Sequence, residues 1–332
     1  MILHPGILAL LVASGIICLI VVLSALYGVR IVRSWDLQSG SARQLRLERS
    51  TYLVSTFLSH AAGLQLISFF LFIFVVDRIH IYFTGAMCAA GVLNVNPYGY
   101  PALVLKLVNF FLFGLWLIIN AVDNQAPDYP LIRKKYLFLV LLAPLIIVET
   151  YVFGKFIAGL NVEVITSCCG SLFSVETKGF ASELAALPRV PTEIAFFLGM
   201  GLSIALGLVV ALRGRGRYLF SLVSAATFLL SIASLISVIS PYIYELPSHH
   251  CPFDILQREY DYIGYPLYLS LLGGGLAGMA VGVIMPFRKI PSLEKIVPAA
   301  QTRLAFVSAL LYLIFLLITV YWMLFSNFTF NG

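Results

Sequence analysis

Residues 5–29 read PGILALLVASGIICLIVVLSALYGV, a stretch without a charged side chain that is long enough for a helix to cross a lipid bilayer. Further apolar windows bounded by charge or proline follow at roughly residues 52–76, 101–122, 136–158, 191–212, 218–240, 262–286 and 304–326. The chain of 332 residues is 61% hydrophobic and 11% charged, which excludes a water-soluble globular protein. The sequence therefore predicts an all-α polytopic membrane helix bundle with about eight spans.

Basic side chains are concentrated on one side of this predicted arrangement. That side holds Arg30, Arg33, Arg43, Arg46, Arg49, Arg133, Lys134, Lys135, Arg213, Arg215, Arg217, Arg288, Lys289, Lys295 and Arg303, whereas the other holds Arg78, Lys178, Arg189 and Arg258. Because cytoplasmic loops carry the excess of Lys and Arg, both termini are predicted to face outward from a cytoplasmic (inner) membrane. The net charge of +6 then reflects topology, so the expected partner is membrane lipid and not nucleic acid.

A short pattern occurs twice in the chain and begins at a cysteine each time. Cys88 is followed by Val92, Leu93, Asn94 and Gly99-Tyr100-Pro101, and Cys251 is followed by Ile255, Leu256, Gln257 and Gly264-Tyr265-Pro266. The copies are offset by an even number of spans, so both halves keep the same orientation. We predict a parallel 4+4 internal duplication: a first four-helix repeat at residues 1–160, an outward loop at 161–190 and a second four-helix repeat at 191–332.

Four cysteines, Cys88, Cys168, Cys169 and Cys251, fall in the predicted outward loops. Met87 precedes the first of them, and His249 and His250 precede the last, so thiolate, thioether and imidazole groups are offered together. Thiolates and thioethers select Cu(I) and similar ions, and imidazole suits copper and zinc. The leading hypothesis is that these seven residues bind, transport or hand over a thiophilic metal ion, with copper favoured and a periplasmic metal chaperone as partner.

The same cysteines support two other interpretations. Cys88, Cys168, Cys169 and Cys251 are the redox residues if the chain is a membrane thiol-disulfide oxidoreductase that passes electrons between external thiols and quinone, with a thioredoxin-like partner. Thiols in outward loops resemble those of quinone-linked disulfide-forming enzymes, but the chain has no Cys-x-x-Cys. Alternatively, disulfides staple the loops of an anchor subunit in a larger redox or transport complex, since the outer environment is oxidising. Whether the chain is an enzyme stays open.

Several polar side chains fall inside the predicted spans. Glu149 lies near the middle of the fourth span with Lys155 six residues later, and ionisable groups at membrane depth often mark an ion or proton route. The alternatives are a structural pair of these two side chains or a lysine that snorkels to the interface. The second span carries His60 and Gln65 and the third carries Lys106, Asn109 and Asn120, and we expect these side chains to form a polar seam. His60 is a candidate ligand for haem b, although the other histidines lie at or beyond the predicted outer edge.

Small residues recur at four-residue spacing in the seventh span, at Gly274, Gly278 and Gly282. Such a stripe lets another helix approach closely, so we predict a packing surface there and no binding site.

Overall fold

The computed structural model describes residues 3–36, 39, 41–166 and 180–328. Its long helices are Pro5–Ser34 (α1), Ala42–Arg78 (α2), Gly99–Asp123 (α3), Ile132–Ala158 (α4), Arg189–Arg213 (α5), Arg217–Ser234 (α6), Gly264–Val283 (α7) and Ile296–Phe325 (α8). Within the described residues, eight helical segments are long and apolar enough to cross a membrane. The prediction of a helical protein with about eight spans is confirmed for this part of the chain.

Short helical segments extend or connect the long helices. They are Ile79–Tyr82, Ala89–Leu93, Phe180–Ala185, the π-helical turn Leu235–Ile239 with Ser240–Tyr244 after it, and the 3-10 turns Asp254–Leu256, Arg258–Tyr260, Met285–Lys289 and Pro291–Leu293. Helix α2 begins well before the apolar window at residue 52, because Ser41 caps it by accepting a hydrogen bond from the Gln44 backbone N–H at 3.3 Å. A hydropathy window thus marks the apolar part of a helix and not its end.

Helix α1 shows why these helices belong in a membrane. One face buries Ile7, Leu10, Ile17 and Val21 at helical spacing inside the protein. The opposite face is equally apolar but between 47% and 63% exposed, at Leu8, Val12, Ile16, Leu19, Leu23 and Leu26. An exposed face of this composition is stable against lipid and unfavourable against water. The chain is therefore an integral membrane protein in contact with lipid.

The chain divides into two compact units, and the first contains α1 to α4. It consists of Met1–Tyr82, Val92–Val164 and Lys289–Ile296. In this unit α1 packs against α2 and α4, and α3 packs against the same two helices. The core between them includes the fully buried side chains of Ile17, Leu58, Phe113, Trp116 and Tyr136.

The second unit contains α5 to α8 and consists of Phe83–Gly91, Ile165–Arg288 and Val297–Gly332. Helix α6 packs against α5 and α7. Helix α8 is hydrogen-bonded to α7, because Ser308 Oγ donates to the Gly274 carbonyl at 2.7 Å. A Cβ atom at Gly278 would lie 2.0 Å from Ser224 Oγ, so the predicted close packing at the glycine stripe is present. The segment Phe83–Gly91 belongs to this unit although it precedes α3 in the chain, which brings Cys88 into the same unit as Cys251.

A π-helical turn ends α6 and frees a backbone acceptor. The Ser240 N–H bonds to the Leu235 carbonyl five residues back, instead of the Ile236 carbonyl that an α-helix would use. Pro241 has no N–H and therefore gives Ile236 no other helical partner. The turn thus leaves the Ile236 carbonyl oxygen to be satisfied by a side chain.

Candidate functional site

The segment that carries Cys88 is held by hydrogen bonds to Thr166. The Thr166 N–H donates to the Thr84 carbonyl at 3.0 Å, and its Oγ1 donates to the Gly91 carbonyl at 2.8 Å. Gly85 lies between these contacts with φ +87°, and a Cβ there would lie 2.0 Å from the Thr166 oxygen. Only glycine fits both this left-handed backbone and this close approach.

Cys88 and Cys251 meet in the interior of the second unit. Both side chains are 0% exposed, and their sulfur atoms lie 3.4 Å apart. Asp254 adds a carboxylate, because its Oδ1 lies 3.6 Å from Cys251 Sγ and accepts from the thiol. One ligand atom from each of the three residues lies within 4.8 Å of the others. Two thiols and one carboxylate, all buried, therefore form a compact donor set, which we call the dithiol site.

Two tyrosines fix the loop that presents Cys251. Tyr244 Oη donates to the Cys251 carbonyl at 2.5 Å and accepts from the Ile255 N–H at 3.0 Å. Tyr268 Oη, from α7, donates to the Pro252 carbonyl. These bonds satisfy backbone groups on both sides of the thiol, so the position of Cys251 is set by the ends of α6 and α7.

Asp254 also connects the dithiol site to His249. Its Oδ2 lies 2.6 Å from His249 Nε2, and the side chains are 19% exposed for His249 and 8% for Asp254. The imidazole stands edge-on to Tyr244, with ring centroids 4.2 Å apart. A chain of contacts therefore runs from Cys251 through Asp254 to a histidine at the protein surface.

His250, which the sequence placed among the metal ligands, has another role in the structure. Its Nδ1 lies 2.9 Å from the Ile236 carbonyl oxygen, which has no backbone donor in the π-helical turn. A carbonyl oxygen only accepts, so Nδ1 carries the proton and donates. The side chain is buried, and its contact is with the end of α6 instead of with the dithiol site.

We expect His250→Ala to lower the free energy of unfolding by about 1–3 kcal/mol, because it leaves the Ile236 carbonyl buried without a donor. Unfolding in detergent, followed by circular dichroism, measures this. His250→Gln is the control, since an amide N–H can replace the imidazole donor. Full stability of His250→Ala would contradict this structural role.

The remaining predicted ligands lie elsewhere or outside the described residues. The Met87 side chain is 66% exposed, while its carbonyl accepts from Gln257 Nε2 at 2.7 Å. Cys168 and Cys169 lie outside the described residues. His60 is exposed on α2, and its Nδ1 contacts the Thr56 carbonyl of the preceding turn at 2.8 Å.

The two copies of the cysteine pattern have similar local structures. The first leads into the short helix Ala89–Leu93 and the second into the 3-10 turn Asp254–Leu256. In both, the Gly-Tyr-Pro run begins a long helix, α3 at Gly99 and α7 at Gly264. A Cβ at Gly99 would lie 2.1 Å from the Leu93 oxygen, and one at Gly264 would lie 2.8 Å from Leu256 Cδ2. The duplication itself stays a prediction.

Part of the predicted polar seam is present in the first unit, where Gln65, Lys106 and Asn109 surround Glu149. Its Oε1 lies 2.8 Å from Lys106 Nζ, and its Oε2 accepts from Gln65 at 2.7 Å and from Asn109 at 2.5 Å. All four side chains are buried. Lys155 instead lies 5.7 Å from the Tyr151 ring centroid. The cationic partner of Glu149 is therefore Lys106 and not Lys155, in a buried cluster between α2, α3 and α4.

A second buried ion pair, which sequence reasoning missed, joins the end of α3 to the start of α4. Lys135 Nζ lies 2.7 Å from Asp123 Oδ2 and 2.9 Å from Asn120 Oδ1. Lys135 also lines a cavity of about 550 Å³ beside the hydroxyl groups of Ser55 and Ser59 on α2. The signal in the sequence is an acid and a base at facing ends of consecutive spans.

Comparison with known proteins adds no relative: no protein-family model, no curated protein and no solved structure matches this chain.

Proposed function

We propose that the dithiol site holds a thiophilic metal ion, with Cys88, Cys251 and Asp254 as ligands. The observation that supports this is the convergence of two buried thiols and a buried carboxylate from distant parts of the chain, within 4.8 Å of one another. Thiolates are the ligands that select zinc and Cu(I) in proteins.

The distance between the two sulfur atoms favours a metal ion with a bent sulfur–metal–sulfur angle. At the usual Zn–S distance of about 2.3 Å, two sulfurs of a tetrahedral site lie about 3.8 Å apart. The 3.4 Å between Cys88 and Cys251 therefore needs to widen by only a few tenths of an ångström. With a carboxylate in place of the expected thioether and imidazole, the donor set favours zinc over the copper that the sequence indicated.

His249 then serves as the outer partner of the Asp254 ligand. Carboxylates and histidines at metal sites are usually oriented by a further hydrogen bond, and the 2.6 Å contact between His249 Nε2 and Asp254 Oδ2 is of this kind. Binding a metal requires both thiols to lose their protons. Asp254 is placed to accept a proton from Cys251 and His249 to pass one toward the surface, because their contacts are consecutive.

We expect the protein purified without chelator to contain about one metal ion per chain, and Cys88→Ser or Cys251→Ser to lose nearly all of it. Elemental analysis of the full-length chain measures this. Cys18→Ser is the matched control, because Cys18 lies within α1 among the apolar core of the first unit. Metal retained after both substitutions at the dithiol site would exclude the proposal.

A second candidate function, thiol-disulfide exchange, is favoured by the same 3.4 Å contact. A disulfide requires sulfurs about 2.05 Å apart, so Cys88 and Cys251 need to approach by little more than an ångström. The two thiols would lose two electrons and two protons to an external disulfide, which would become two thiols. Asp254 beside Cys251 would accept the proton as that thiolate forms.

Thiol counting on the same preparations separates the two functions. A metal site gives metal in the native protein and two more reactive thiols after chelation. A redox site gives no metal, and Cys88 and Cys251 become linked when the reduced protein is mixed with a small disulfide such as oxidised glutathione. A disulfide that resists reduction and whose loss only destabilises the protein would identify a structural staple.

A further inference from the structure

The turn between α5 and α6, in the second unit, contains two left-handed glycines and several arginines. Helix α5 ends at Arg213, and Gly214 follows with φ +64° while its N–H donates to the Val210 carbonyl at 2.9 Å. Gly216 has φ +76° and directly precedes Arg217, the first residue of α6. The two left-handed glycines reverse the chain within three residues, which places the arginines of the turn close together.

The guanidinium of Arg217 is buried at this turn without the partners that a buried cation requires. The residue is 8% exposed, and its Nε and Nη1 atoms have no hydrogen-bond partner. Among the described residues, no carboxylate forms an ion pair with the Arg217 guanidinium. The guanidinium is instead repelled by the positive charge of Arg288. Uncompensated buried cations are strongly unfavourable, so this arrangement is complete only with an anion.

The start of α6 offers further donors at the same place. No side chain caps this helix, so the backbone N–H groups of its first turn have no side-chain acceptor there. The positive end of the helix dipole adds to the charge of Arg217 and Arg288. A Cβ at Gly216 would meet no atom within 4 Å, so there is open space beside the helix start for a ligand.

We propose that the α5–α6 turn binds a phosphate group, held by the Arg217 guanidinium, the backbone N–H groups at the start of α6, and Arg288. The fork of a guanidinium matches two phosphate oxygens, and helix N-termini bind phosphate through their N–H groups. The group is the headgroup phosphate of an anionic lipid or a free phosphate. The basic residues of the turn lie on the side that the charge distribution assigns to the cytoplasm, where anionic lipids attract such clusters.

The test follows the thermal unfolding midpoint of the full chain in neutral detergent. Phosphatidylglycerol, phosphatidylcholine and inorganic phosphate are added separately, with chloride at matched ionic strength as the reference. We expect phosphatidylglycerol to raise the midpoint in the native chain, and Arg217→Gln to weaken its binding by about tenfold or more. Arg215→Gln is the matched control, because Arg215 is an exposed arginine of the same turn.

The outcomes distinguish the sources of the phosphate. A rise with inorganic phosphate as large as that with phosphatidylglycerol, lost in Arg217→Gln, identifies a free phosphate. Arg217→Lys keeps the charge but loses the two-pronged guanidinium, and Arg288→Gln removes the second cation. The unfolding midpoints of both variants should therefore rise less with phosphatidylglycerol than that of the native chain. Either variant replaces Arg217→Gln in the test if Arg217→Gln does not fold. Equal responses from Arg215→Gln and Arg217→Gln, or no response of the native chain to either phosphate source, would overturn the proposal.

Discussion

Replacing Glu149 with alanine is expected to lower the free energy of unfolding by about 3–5 kcal/mol, because the substitution leaves the Lys106 ammonium buried without its counter-ion. The Lys106 side chain is 0% exposed and its Nζ lies 2.8 Å from Glu149 Oε1. Gln65 and Asn109 also lose the carboxylate that they hydrogen-bond. Unfolding by sodium dodecyl sulfate in mixed micelles measures the change.

A double substitution separates the cost of an orphaned charge from the value of the pair. Lys106→Met combined with Glu149→Gln removes both charges and leaves an amide that Gln65 and Asn109 can still contact. Neutral replacements of buried ion pairs are often nearly as stable as the pair, so the double variant should recover most of the loss seen in Glu149→Ala. The Lys106 stem also packs beside the Phe153 ring, 5.0 Å from its centroid, and methionine keeps that contact.

Lys155→Met is the control for this experiment. A pair of Lys155 with Glu149 was one alternative from the sequence, but Lys155 contacts Tyr151, so its removal should cost less than about 1 kcal/mol. A larger loss in Lys155→Met than in Lys106→Met would contradict the pairing described here. If Glu149→Ala is as stable as the native chain, the contact between Lys106 and Glu149 does not stabilise the fold as a buried ion pair.

The geometry of α4 explains why Glu149 and Lys155 do not pair. Residues six apart on a helix point about 120° away from each other, so Glu149 and Lys155 do not share a face. Lys106 lies on another helix, and the sequence does not specify which faces of two helices meet. The existence of a polar seam could be predicted from the positions of Gln65, Lys106 and Asn109 within apolar spans. The identity of the pair required the packing of α2, α3 and α4.

The dithiol site shows the same division between pattern and packing. The repeated pattern singled out Cys88 and Cys251, and the structure brings their sulfurs to 3.4 Å. The repeated pattern did not indicate Asp254 as a ligand, although this residue is three positions after Cys251 in a tight 3-10 turn. His250 was predicted as a ligand because it adjoins Cys251. Its contact with Ile236 depends on the π-helical turn, which no hydropathy pattern reveals.

Substituting Gly278 with alanine is expected to have the second largest effect, a loss of about 3 kcal/mol in the free energy of unfolding. The added Cβ would lie 2.0 Å from Ser224 Oγ, 2.6 Å from Ser224 Cβ and 2.9 Å from Ser308 Oγ. The two serines belong to α6 and α8, so the methyl group would have to push α7 away from two neighbours. Their hydrogen bonds to Tyr312 and Gly274 would be strained by the same movement.

Two comparisons make the packing origin of this loss measurable. Gly201→Ala in α5 introduces the same methyl group where a Cβ would meet nothing within 4 Å, and should be neutral or stabilising by up to about 1 kcal/mol. Adding Ser224→Gly to Gly278→Ala removes two of the three clashing atoms and should restore part of the loss, less the hydrogen bond that Ser224 shares with Tyr312. Because close approach of helices in lipid depends on small residues, equal stability of Gly278→Ala and Gly201→Ala would mean that α7 is not packed this tightly against α6.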